Sequence, residues 1–266
     1  MLDQLLQTLL LGMIQGISEW LPISSTAHLK LTGYYFGLTV TPLFNIILHL
    51  GTLAVVVFFF RKEVKGILLA LLHRDFNSEN GILIPRIIVA SIFTAIISLT
   101  YIIFLRESLG ALPIIAVTFI IGATMVYSTK FAKETNENLP YKTAILMGLA
   151  QGLAIFPGLS RSGITIATAL LLGQKRKNAF KFSFLLSIPA IIGDFIVEAY
   201  SERKMILTDG IGGIEVIAGV AAAVIAGYFA LTLLSKVIQG RKFHYFAYYT
   251  WILGIALLIL TVGLNI

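Results

Sequence analysis

Pro157-Gly158-Leu159-Ser160-Arg161-Ser162-Gly163-Ile164-Thr165 interrupts a sequence that is otherwise close to continuous hydrocarbon. Each residue type has a physical consequence. A proline ring clashes with the preceding turn and has no N–H, so Pro157 is expected to end the helix before it. Gly158 lets the backbone bend and lets another group approach closely. Ser160, Arg161 and Ser162 then open a new helical run, Ile164 to Leu172. A helix start presents free N–H groups and a positive partial charge, which suits an anion. Arg161 adds a planar fork of donors matched to phosphate. A charge at membrane depth is costly and usually functional, so the stretch reads as a phosphate cradle and not as a mere polar kink.

The surroundings place that cradle inside a membrane. Of the 266 residues, 58% are hydrophobic and 12% charged, about half the charge of a soluble domain. Cysteine is absent, which excludes disulfides and thiolate metal sites. The formal charge of +7 is read as membrane orientation and headgroup contact, and no nucleic-acid partner is expected. Met1-Leu2-Asp3-Gln4 leads directly into apolar sequence, so no removable signal peptide is expected.

Two pairs of short apolar runs flank polar breaks: 2–17 with about 27–36, and about 142–156 with 162–172. Each run falls short of the roughly 20 residues that cross a bilayer, which suggests re-entrant hairpins. Full spans are expected at about 43–60, 82–105, 111–129, 182–200, 211–234 and 245–264. The expected fold is therefore all-α and integral to the membrane: six transmembrane helices plus two re-entrant hairpins. Loops holding Arg61, Lys62, Lys65 and Arg74, then Lys130, Lys133 and Lys142, then Lys175, Arg176, Lys177 and Lys181, then Lys236, Arg241 and Lys242 alternate with loops holding only Arg106, Arg203 and Lys204. This bias puts the first set in the cytoplasm and both termini outside. The first hairpin then opens outward and the second to the cytoplasm.

Gly12-Met13-Ile14-Gln15-Gly16 is echoed by Gly148-Leu149-Ala150-Gln151-Gly152, and each is followed by a proline and a serine-rich break. Each half then carries three spans, an odd number, so the second half is inverted relative to the first. The single membrane domain, 1–266, divides into repeats of about 1–131 and 141–266, an architecture in which broken helices meet at mid-membrane. Tyr34, Tyr35, Phe36, Tyr245, Phe246, Tyr248, Tyr249 and Trp251 read as aromatic-belt anchors. The small-residue stripe Gly219, Ala223 and Gly227 is expected to suit another protomer, a homodimer.

Chemistry is concentrated at the first break. Gln15 and Glu19 share a helix face. A carboxylate in that setting needs a cation, either a metal ion or Arg161. Ser24, Ser25, Thr26 and His28 follow, the imidazole one turn beyond Ser25 and suited to proton transfer. A carboxylate, an imidazole, a hydroxyl and an anion cradle brought together by the repeat suggest phosphoryl chemistry with a divalent ion. Asn45 with His49, and Asp194 with Glu198, share faces on their spans and are read chiefly as helix-to-helix hydrogen bonds. Arg86, near a span end, is expected to snorkel to the headgroups.

Gln15-x-x-x-Glu19 followed by Leu21-Pro22-Ile23-Ser24-Ser25-Thr26-Ala27-His28 resembles the first motif of bacterial undecaprenyl-pyrophosphate phosphatases, the bacitracin-resistance family. Pro157 to Thr165 resembles its second. The likeness continues through Phe182-Ser183-Phe184-Leu185-Leu186 and Pro189 and covers essentially the whole chain. The resemblance implies a multi-pass enzyme of the inner or plasma membrane. Such an enzyme hydrolyses a polyprenyl diphosphate to the monophosphate and inorganic phosphate, recycling the lipid carrier of cell-wall glycans, with Mg2+ or Ca2+ as cofactor. By position it makes Glu19, Ser25, His28 and Arg161 catalytic: Glu19 at the metal or as base, Ser25 the candidate nucleophile, His28 the motif histidine, Arg161 the diphosphate clamp. On this reading Ser25, or a metal-bound water in its place, attacks the terminal phosphorus and His28 takes the proton. Gln15, Ser24, Thr26, Gln151, Gly158, Ser160, Ser162 and Thr165 fall around the substrate. Gln15 stands where many members carry Glu, which leaves Glu19 as the single acid. A second family of lipid phosphatases has a histidine five residues after its Ser-Arg pair; here that position is Ala167, so the likeness fails there. A transporter of a phosphorylated lipid or other anion, built on the same broken helices, is the alternative reading.

Overall fold

The computed structural model describes residues 2–38, 41–104, 111–201 and 212–263. The described residues form eleven α-helices joined by turns. They are α1 (Leu2–Trp20), α2 (Ser25–Phe36), α3 (Pro42–Phe59), α4 (Arg61–Leu72), α5 (Leu83–Phe104), α6 (Leu112–Ser128), α7 (Tyr141–Leu153), α8 (Arg161–Leu171), α9 (Arg176–Ser201), α10 (Gly213–Gln239) and α11 (Phe246–Gly263). Five stretches are long and apolar enough to cross a membrane: Leu83–Phe104, Leu112–Phe131, Arg176–Ser201, Gly213–Gln239 and Phe243–Thr261. A sixth qualifies if α3 and α4 count as one span, bent by 83° at Phe60. Multi-pass membrane architecture follows. Arg106, Arg203 and Lys204, which enter the loop-charge reading, lie outside the described residues.

Local chemistry sets the helix ends. Pro42 fits the first turn of α3, where no N–H is required, and the Thr41 hydroxyl accepts the Phe44 N–H at 3.3 Å. Ser160 caps α8 by accepting the Gly163 N–H at 3.2 Å. Two boundaries differ from expectation. α1 runs on to Trp20, because Gln15 and Glu19 bond across one helical turn and prolong the helix through its polar end. At 19 residues it is nearly span-length by the ~1.5 Å rise per residue, although less apolar than the spans. α7 stops at Leu153, four residues before Pro157, in overlapping tight turns through Leu159. The residue before a proline avoids the helical region, so the helix cannot continue to its edge.

The core is assembled from exchanged pairings. α1 packs along α10, and α7 along α5; α3 lies against α9, and α6 against α11. The first two contacts are backbone-close. A Cβ on Gly12 would strike the Gly219 carbonyl, and one on Gly16 the Ala223 carbonyl and, at 2.9 Å, the Gly227 nitrogen. The stripe Gly219, Ala223 and Gly227 is thus spent inside the protein, on α1, and corrects the expectation that it faces another protomer: small residues specify close approach, and the nearer helix takes it. Gly16→Val should force α1 from α10 and destabilise the protein by about 1–3 kcal/mol, as overpacking does. The check is thermal unfolding in detergent, and an unchanged midpoint would contradict this contact.

Arg86, expected near a span end, is bonded to the protein there. Its Nε donates to the Leu139 carbonyl at 2.5 Å, Nη1 donates to the Ile82 carbonyl at 2.6 Å, and its guanidinium lies 4.8 Å from the Tyr141 ring centre. It fastens α5 to the start of α7.

Candidate active site

The two breaks meet. Ser24, between α1 and α2, holds a left-handed φ of 69°, a costly conformation for a residue with a Cβ. The hydroxyl of Ser24 accepts the Gly158 N–H at 3.1 Å, and Ser160 Oγ donates to the Leu21 carbonyl at 3.4 Å. Gly158 has φ 101°, and a Cβ there would collide with Thr118 and the Ile115 carbonyl, so only glycine fits. Because Ser24 is turned toward Gly158, it forms no side-chain cap on α2. The N-termini of α2 and α8 therefore lie side by side, and both present the positive end of a helix.

Glu19 is the hub. Its side chain is 6% exposed and forms an ion pair with Arg161, at the start of α8. The second carboxylate oxygen accepts the Ser25 hydroxyl at 2.7 Å and the Gln15 amide at 3.1 Å. Arg161 also lies 5.5 Å from the ring centre of Trp20, which is fully buried, so the guanidinium is held by charge on one side and by an aromatic face on another. The paired chemistry expected of Gln15, Glu19, Ser25 and Arg161 is thus physically assembled.

Other residues extend or leave this cluster. His49 Nε2 stands 3.8 Å from Glu19, and its Nδ1 donates to the Asn45 carbonyl at 2.9 Å. The Asn45 amide donates to Glu198 on α9 at 3.0 Å, the helix-to-helix bond expected of it. His49 instead turns into the site. Ser160 and Ser162 hydroxyls lie 3.2 Å apart beside Arg161. Thr26 is exposed at the start of α2. Two residues face elsewhere. Thr165 is fully buried, bonded to the Arg161 carbonyl at 2.7 Å and to Ser183 at 2.6 Å. Gln151 reaches Thr94 and the Leu186 carbonyl, both at 3.3 Å, and so binds α7 to α5 and α9.

The ring nitrogens of His28 bond to groups other than Ser25. Its Nδ1 donates to the Ser24 carbonyl at 2.8 Å, and Nε2 meets the Tyr249 hydroxyl at 2.7 Å across stacked rings 5.8 Å apart. A carbonyl only accepts, so Nδ1 carries the hydrogen and, in the neutral ring, Nε2 accepts from the tyrosine. Sequence reasoning placed Tyr249 in an interfacial belt. Its neighbours Tyr245 and Tyr248 carry the same signature, and nothing local tells one from another.

The donor set bears on a divalent cation. Among the described residues no three His, Asp or Glu side chains form a ready metal cage. Gln15, however, is fully buried and its Oε1 has no partner. One orphan amide oxygen beside one carboxylate fits a Mg2+ or Ca2+ ion shared with phosphate oxygens, not one caged by protein alone.

The fold and the site define a multi-pass helical membrane protein with a buried carboxylate–guanidinium pair and a serine hydroxyl sunk among its helices. Residues 8–256 match the family model described as Bacitracin resistance protein BacA, and the chain belongs to that family. It is similar to an undecaprenyl-diphosphatase of Carboxydothermus hydrogenoformans, 39% identical over 261 residues and covering 96% of each chain. The corresponding proteins of Korarchaeum cryptofilum and Treponema denticola are each 37% identical, over 96% and 94% of this chain and 98% and 95% of theirs.

Proposed function

We propose that the Ser25–Glu19–Arg161 constellation is the centre at which this protein hydrolyses undecaprenyl diphosphate to the monophosphate and inorganic phosphate. The protein is an undecaprenyl-diphosphatase, a hydrolase of the membrane that returns the lipid carrier to cell-wall glycan synthesis. The observation that carries the site is the hydrogen bond from Ser25 to a carboxylate whose other oxygen is held by Arg161.

The chemistry follows from that bond. Ser25 Oγ attacks the terminal phosphorus while Glu19 takes its proton. The new Oγ–P bond forms as the bridging P–O bond breaks, and polyprenyl phosphate departs. Water then cleaves the phosphoserine and the proton returns to Ser25. Arg161 turns from Glu19 toward the phosphate oxygens, and the starts of α2 and α8 stabilise the charge that develops there. Glu19 and Gln15 Oε1 would hold the divalent ion, which supplies further neutralisation of the phosphate oxygens. His28 lies one turn from Ser25 on α2, but its pairing with Tyr249 favours Glu19 as the proton acceptor.

The exchanged pairings support an inverted repeat of about 1–131 and 141–266. The first helix of each half packs on the second span of the other, and the first and third spans pack on their counterparts. Re-entrant hairpins at α1–α2 and α7–α8 then bring the breaks together, in the inner or plasma membrane.

The test is phosphate release by purified protein in detergent from a polyprenyl diphosphate, with and without EDTA, beside Glu19→Gln. Release that needs a divalent ion and disappears in the variant is expected. Lipid binding without phosphate release under any ion would turn the site into a transport site.

A further inference from the structure

The stacked pair His28–Tyr249 lies at one end of a groove between α2 and α11 of about 280 Å³. The groove is lined by Leu31, Tyr35, Leu253, Ala256, Leu257 and Leu260. Beneath it Ala27 and Leu257 pack on Ile115, Ala116 and Phe119 of α6, so its floor is closed apolar core. The one buried hydroxyl in the lining, Thr32, is spent on the His28 carbonyl at 2.7 Å. Nothing there asks for a polar ligand except the imidazole–phenol pair itself.

Helical register ties this groove to the catalytic serine. Ser25, His28, Thr32 and Tyr35 follow one another at spacings of three and four along α2, and so share one stripe. Ser25 begins the stripe at the site, and Tyr35 and Phe36 end it among exposed aromatic residues. From Ser25 to Phe36 the stripe runs about 16 Å at a rise of ~1.5 Å per residue. The stripe is thus the surface of α2 that leads from Ser25 into the groove.

We infer that the α2–α11 groove holds the first isoprene units of the lipid substrate, and that Tyr249 is a positioning residue that fixes His28 as the wall between groove and phosphate. The inference rests on the phosphatase reading of the site. It assigns the groove to the substrate's own chain and not to bulk lipid. Tyr249 is 47% exposed, and its ring keeps its stacking when the hydroxyl is removed. Tyr249→Phe therefore separates the hydrogen bond from the packing.

The experiment compares farnesyl diphosphate, long enough to run along the groove, with dimethylallyl diphosphate, whose single unit reaches only the end beside Tyr249 and stops short of Ala256. Dimethylallyl diphosphate is read as a substrate or as a competitive inhibitor. Ala256 is exposed on the groove, so Ala256→Trp fills the space without touching the core. KM for farnesyl diphosphate should rise about tenfold, a loss typical of a few apolar contacts, while the constant for the short diphosphate stays within twofold. Leu253→Trp is the second variant and should show the same chain-length selectivity. Tyr249→Phe should do the opposite: kcat falls about tenfold and KM for farnesyl diphosphate holds. An equal effect of Ala256→Trp on both ligands, or on neither, overturns the groove assignment, the second result meaning that only bulk lipid occupies it. A Tyr249→Phe enzyme with kcat within twofold of the parent overturns the positioning role. If the parent protein releases no phosphate, the phosphatase reading fails instead, and the groove is judged by direct binding of the same two diphosphates to the same variants.

Discussion

Ser25→Ala should abolish phosphate release, lowering kcat by about a thousandfold or more, as loss of a nucleophile does. The substitution is structurally mild. It removes one half-buried hydroxyl and one hydrogen bond to Glu19, a net cost of roughly 1 kcal/mol. Glu19 keeps Arg161 and the Gln15 amide, so no buried charge is left bare. Folding and binding of diphosphate should therefore survive, which makes the result readable as chemistry. Single-turnover assays with labelled substrate measure it, and in the parent enzyme the label should be trapped on Ser25 by rapid acid quench. A variant that keeps activity within about tenfold would transfer the attack to water and leave Ser25 as a ligand.

Arg161→Ala should be as damaging to turnover, by roughly 10²–10³, and should also weaken the fold. Arg161 holds the transition-state charge, the kind of group whose removal costs that much in an enzyme. It is also the partner of a carboxylate that is 6% exposed. Removing one member of a buried pair strands the other, typically at about 3–5 kcal/mol. The two effects come apart in a cycle. Glu19→Gln in the Arg161→Ala background removes the stranded charge, so the unfolding midpoint should recover while activity does not. Thermal unfolding and phosphate release on the four proteins check this. Equal midpoints for the single and double variants would show that Glu19 is not held by Arg161. Arg161→Lys keeps the charge but loses the planar fork, and should fall between the parent and the alanine variant.

The parts of this site that could be read from sequence were those with an energetic signature in one dimension. An arginine and a glutamate in apolar sequence need each other, and Glu19 and Arg161 do pair. Polar breaks between short apolar runs need protein around them, and Ser24 and Gly158 are bonded to each other. Five of the six expected span positions followed from apolar length, and the sixth, 43–60, qualifies only together with α4 across a bend of 83°. What was hidden is the rotation of each helix about its own axis. A transmembrane helix is apolar all round, so periodicity does not say that Tyr249, and not Tyr245 or Tyr248, meets His28. For the same reason His49 was read with Asn45 as a helix-to-helix pair, although it faces Glu19. Thr165 belongs to the second motif by position but is spent on Ser183. The stripe Gly219, Ala223 and Gly227 promised a close helix neighbour without naming it, and the neighbour is α1.

The pairing of α1 with α10, and of Glu19 with Arg161, also imposes a timetable. The arginine that neutralises Glu19 is made 142 residues later, about 7–30 s at a synthesis rate of 5–20 residues per second. α10, whose backbone closes over Gly12 and Gly16, comes later still. Through that interval the first helix sits in or against the bilayer with a carboxylate and a glutamine uncovered. The nascent chain must therefore be sheltered by the insertion machinery, or keep α1 at the interface, until its second half arrives. Truncated chains ending before α8 are, by this logic, natural substrates for membrane quality control.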